Sequence, residues 1–96
     1  MWTILMSKRK KRLEKLRRNP KNVSFEELRR VLEDYGFELH RVRGSHHVYQ
    51  QTILDKKVVF IVPYQRGKLP PVYVEDALDL IDSYFKDQEQ DDDTDE

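Results

Sequence analysis

The stretch Arg41-Val42-Arg43-Gly44-Ser45-His46-His47-Val48-Tyr49 gathers the residue types in this chain best suited to chemistry. A histidine exchanges protons near neutral pH, and as a general acid or base it contributes about 10²–10⁴-fold to a reaction. Arg41, Arg43 and, further along, Lys68 are cations suited to holding a phosphate and stabilising charge that develops on it. Alternation along a strand sends His46 and Val48 to one face and His47 and Tyr49 to the other. One histidine therefore looks toward whatever covers the sheet, and its neighbour looks the opposite way. Because their rings diverge, the pair is a poor chelate, and with no cysteine in the chain no metal or other cofactor is expected.

The elements that must position this stretch are legible on either side of it. Ser24 and Glu27 have the spacing of a capping box, and Val23 with Leu28 fits a hydrophobic staple. Phe25, Leu28, Val31, Leu32 and Tyr35 then form the apolar stripe of a helix, which Gly36 ends through a left-handed conformation. Phe37–Arg41 alternates as a first strand with Phe37 and Leu39 inward. Gly44-Ser45 turns into a second strand over His46–Thr52, and Leu54–Lys57 turns into a third over Val58–Val62. A proline-stiffened loop over Tyr64–Pro71 leads to a last helix over Val74–Phe85, whose other face carries Glu75, Asp76, Asp79 and Asp82. This α-β-β-β-α order predicts an α+β two-layer domain, a three-stranded antiparallel sheet with both helices on one face and the other face open to a ligand.

Charge divides the chain into three parts. Residues 1–21 hold nine Lys/Arg and one Glu, a balance of +8, while residues 87–96 hold seven Asp/Glu and no base, a balance of −7. Residues 22–86 hold nine bases and ten acids, so the zero net charge of the whole reflects segregation rather than neutrality throughout. With Leu13 and Leu16 as a thin apolar stripe, 1–21 reads as a basic arm, frayed helix or disordered, that contacts phosphates or is simply solvated. The acidic tail 87–96 has little to bury and reads as disordered, shielding the arm in the free protein. The opening Met1–Met6 run is apolar and precedes the basic residues, the reverse of a signal peptide, with Met6 an alternative start. No apolar run reaches the roughly 18 residues a membrane span needs, so a cytoplasmic protein with no membrane partner is expected.

Gly44-Ser45-His46-His47 at the entry to a strand, then Val62-Pro63, then Gly67-Lys68-Leu69-Pro70 before a final helix, resembles the HicA toxins of HicA–HicB toxin–antitoxin pairs. The resemblance covers about residues 22–86 and implies a double-stranded-RNA-binding-like fold. It also implies a ribosome-independent mRNA endonuclease whose catalytic residue is His47, with Gly44 and Ser45 the matching motif positions; cleavage by a single histidine requires no metal. A HicB-like antitoxin is the implied protein partner. Three departures stand out: Tyr64 occupies a position where many members carry a second histidine, the last helix is acidic where theirs is often basic, and both charged ends are extra.

RNA is cut when its own 2′-hydroxyl attacks the adjacent phosphorus, so such a protein supplies proton transfer and charge stabilisation rather than a nucleophile. Ser45 would orient the phosphate or His47, and Tyr49 is either a packing residue of the sheet or a platform for an unpaired base. Arg41 and Arg43 are either phosphate contacts or a solvated strand face, and His40 and His46 read as surface. The alternatives to a nuclease are a non-catalytic RNA-binding module of the same fold and an adaptor whose open sheet meets a protein partner.

Overall fold

The computed structural model describes residues 8–94, with side chains through Phe85. Its elements run α1 (Lys8–Arg18), α2 (Phe25–Asp34), β1 (Glu38–Arg43), β2 (His46–Ile53), β3 (Lys56–Pro63) and α3 (Pro71–Thr94). The expected α+β order and antiparallel meander β1-β2-β3 are present. The Met1–Met6 run lies outside the described residues.

The Ser24–Glu27 capping box is complete, each side chain accepting from the other's backbone N–H at 3.2 and 2.9 Å. Val23 and Leu28, the two halves of the staple, are both buried. At the other end Gly36 takes φ +95°, and Phe37 N donates back to the Leu32 carbonyl at 3.0 Å. Gln51 reaches across from β2 and donates to the Tyr35 carbonyl at 2.6 Å, satisfying a helix-end acceptor from the sheet.

Register assigns the faces. Tyr49 pairs with Leu39 and Phe60, and His47 pairs with Val62, so these residues look toward the helices. Tyr49, Val58 and Val62 join Leu28, Val31 and Leu32 of α2 and Val74, Ala77 and Ile81 of α3 in one core. The opposite face, with Val59 and Ile61 about half exposed, is open. Leu39 departs from its expected inward burial. It shares Tyr49's face but is 48% exposed, because β1 is an edge strand that no helix covers and a bulge between Leu39 and Arg41 breaks its register.

The basic segment is the main correction to the expected organisation. α1 is neither frayed nor detached: Leu13 and Leu16 are fully buried in the common core. The stripe is thin, yet each leucine gains about 1.5–3 kcal/mol by burial. Ion pairs to acids of the neighbouring helices add to it. Arg12 holds Asp34 through two hydrogen bonds of 2.6 and 2.9 Å, Lys15 reaches Glu27 at 2.6 Å, and Arg17 makes a fork to Asp82. Asp82, expected on the solvated acidic face of α3, is therefore half-buried against α1. α3 itself begins at Pro71, where a missing N–H costs nothing in a first turn, and its backbone stays helical to Thr94, through most of the stretch expected to be disordered.

Two local predictions follow from these contacts. The Lys15 ammonium, and then the Ser24 backbone N–H, hold the Glu27 carboxyl below its ordinary value of 4.5. A carboxyl lowered in the folded state stabilises the fold above the unfolded value, and that contribution is lost as pH falls through the lowered one. Thermal melts from pH 6 to 3 should show this loss, and Glu27→Gln, which keeps the cap but not the charge, should flatten it.

The second concerns the β2–β3 turn, where Leu54 and Asp55 have φ of 51° and 67°, the two-residue type I′ geometry that favours Asn-Gly. Leu54 is 88% exposed and has no packing to lose. Leu54→Asn with Asp55→Gly should stabilise the domain by about 1 kcal/mol, or roughly 4–8 °C in Tm for a chain this size, measured by thermal melt.

Candidate active site

The site forms where the Gly44-Ser45 turn, the start of α2 and the end of β3 meet. Gly44 has φ +59° in a two-residue connection between β1 and β2, the first position of a type II′ turn, which needs glycine. That tight turn presents the Ser45 carbonyl to two donors. Tyr64 N donates to it at 2.7 Å, and His47 Nδ1 lies 3.1 Å from it. A carbonyl only accepts, so the proton of this bond sits on Nδ1, and Nε2 of the neutral ring is left with its lone pair free. The contact from Ser45 to the His47 ring is thus made by its backbone carbonyl.

The ring is steadied on its other sides. Phe25, the first residue of α2, meets His47 edge-on with centroids 4.8 Å apart and an interplanar angle of 63°. Tyr64 packs on Phe25 at 5.2 Å and lies 6.2 Å from His47. Phe25 is buried, His47 half-buried and Tyr64 49% exposed, so the trio runs from core to solvent. His47 stands at the margin of the helix-covered face, not on the open one.

Lys68 is brought to the same end. Its backbone bridges to Ser24, Leu69 N donates to the Val23 carbonyl at 2.8 Å, and Leu69 is buried. The Gly67–Pro70 run is thereby pinned along the N-terminus of α2, with the Lys68 side chain exposed. Arg41 and Arg43 are not brought to His47. They pair with Val48 and His46 and so share the open face with His46. Tyr49 requires correction as a base platform: at 1% exposure it is a core residue, and burial pushes its phenol up from the ordinary value. His40 is exposed at the bulge, its Nδ1 3.2 Å from Gln50 Nε2. Among the described residues no group of three or more His, Asp or Glu could hold a metal ion, and no helix is long and apolar enough to cross a membrane.

The aromatic member that sequence reasoning did not place is Tyr64. The available signal was strand register: two residues after Val62 in an antiparallel pair, it falls opposite Ser45.

Compared with known families, residues 25–81 match the family described as the HicA toxin of bacterial toxin–antitoxin systems. The chain belongs to the HicA toxin family. Membership makes it the toxin of a toxin–antitoxin system and implies pairing with a HicB antitoxin. No curated protein and no solved structure matches the chain. The HicA match contains Phe25, Ser45, His47, Tyr64 and Lys68 and leaves out α1.

Proposed function

We propose that this HicA-family toxin is an mRNA endonuclease that needs no metal and uses His47 Nε2 as its general base. The observation that carries the reading is the Ser45 carbonyl, which accepts a hydrogen bond from Nδ1–H and leaves Nε2 free at a solvent-reaching rim. Nε2 removes the proton of an RNA 2′-hydroxyl, O2′ bonds to the adjacent phosphorus, and the bond to O5′ breaks. The leaving oxygen takes a proton from imidazolium or water, giving a 2′,3′-cyclic phosphate and a 5′-hydroxyl. Lys68, at the edge of the site, offers positive charge to the phosphorane oxygens.

Tyr64 takes the part first assigned to Tyr49. Its exposed ring beside His47 is a surface on which an unpaired base stacks, which favours single-stranded over duplex RNA. Arg41 and Arg43, on the open face, bind flanking backbone rather than the scissile phosphate. A HicB antitoxin inhibits by covering the Gly44–His47 rim together with the open sheet face, where Val59 and Ile61 await a partner. The cytoplasm, where mRNA is accessible, is the compartment this activity requires.

The test is incubation of unstructured RNA and duplex RNA with the purified full chain in EDTA across pH 5–9. Cleavage of the unstructured strand supports the reading. RNA binding without cleavage at any pH replaces it with a non-catalytic binding module.

A further inference from the structure

α1 lies outside the family-matched region, and nothing in the reading above uses its cations. Lys8, Lys11, Lys15 and Arg18 follow one another at intervals of three, four and three residues, so they form one stripe along about 15 Å of helix. All four are exposed, as is Lys21 just beyond the helix. Lys15 is engaged with Glu27, whereas Lys8, Lys11, Arg18 and Lys21 have no partner among the described residues. Among the described residues, the acids that α1 meets on other helices are held by Arg12 at Asp34, Lys15 at Glu27 and Arg17 at Asp82.

The stripe is also aimed. Its Arg18 end leads through Lys21 to Ser24 and Phe25 within a few residues, and Phe25 touches His47. Ser24 is bridged to Lys68. Lys8, Lys11, Arg18 and Lys21 thus stand, with the paired Lys15 among them, on and just beyond a helix docked by Leu13 and Leu16, and chain order puts the Arg18 end nearer the site.

We infer that the outward face of α1 is a second anchoring site for the phosphate backbone of single-stranded RNA, continuing the substrate path away from His47. The inference rests on the reading of RNA as substrate. A lipid surface is disfavoured as the ligand because both leucines of α1 are spent in the core, leaving no apolar side to enter a bilayer. The segregated charge then has a use: a domain that is nearly neutral over residues 22–86 carries its own nucleic-acid handle.

The experiment measures binding of the full chain carrying His47→Ala to a labelled oligouridine between 50 and 300 mM KCl. It is repeated with Lys8→Gln, Lys11→Gln, Arg18→Gln and Lys21→Gln added together. Four lost phosphate contacts should reduce the slope of log affinity against log salt by about 3, with affinity at 100 mM KCl falling on the order of 10–100-fold. In the active chain the same four changes should raise KM while cleavage at saturating RNA persists. Lys56→Gln with Lys57→Gln, at the far end of the sheet, should barely move the slope. An unchanged slope in the fourfold variant while the wild type still cuts RNA overturns the α1 site alone. So does equal loss per charge in the two variants. A wild type that neither binds nor cuts RNA overturns this inference and the nuclease reading together.

Discussion

His47→Ala should lower RNA cleavage by about 10²–10⁴-fold, the span lost with a general base, while His46→Ala leaves it essentially intact. The two residues are adjacent and chemically identical, so this contrast isolates geometry. His47 faces the helix-covered side, where the Ser45 carbonyl fixes its tautomer and Phe25 fixes its ring. His46 pairs with Arg43 and Pro63 on the opposite face, with none of those partners. Rates measured at saturating RNA, with melting curves recorded for each variant, separate lost chemistry from lost folding. Equal losses in the two variants would show that the hydrogen-bonded histidine holds no special place.

The second large effect concerns stability. Leu16→Ala should destabilise the chain by about 2–5 kcal/mol, the range for emptying a fully buried leucine site. In a domain of this size that is roughly 10 °C or more in Tm, and a large part of the 5–15 kcal/mol typical of a whole domain. Were α1 a loose basic leader, the same substitution would cost almost nothing. Denaturant unfolding of the full chain decides between the two, and Lys11→Ala on the exposed side of the same helix is the matched control.

Why α1 was misread as an arm is instructive. Periodicity counts apolar residues, and Leu13 with Leu16 is too few to predict docking. Burial of Leu13 and Leu16 holds α1, and ion pairs to residues far along the chain add to it: Arg12 with Asp34, Lys15 with Glu27 and Arg17 with Asp82. Two of these pairs, 22 and 65 residues apart, lie beyond any local window. The capping box, the Gly36 exit and the three strands were legible because each is encoded within a few residues of itself. The alternation of His46 and His47 was legible for the same reason. Tyr49 was ambiguous because alternation gives a face but not its depth, and only the closure of α2 and α3 over the sheet buries it. Tyr64 needed the register of β2 against β3, which alternation does not supply.

The most direct test of the central claim is the chemistry of the cut ends. Cleavage of an unstructured RNA in EDTA should yield 2′,3′-cyclic phosphate and 5′-hydroxyl termini, and a 2′-deoxy substitution at the cut position should stop it there. Those ends require the 2′-oxygen as nucleophile and a base to deprotonate it, the role assigned to His47 Nε2. Products with 5′-phosphate and 3′-hydroxyl ends, or cutting that ignores the 2′-deoxy substitution, would contradict the account.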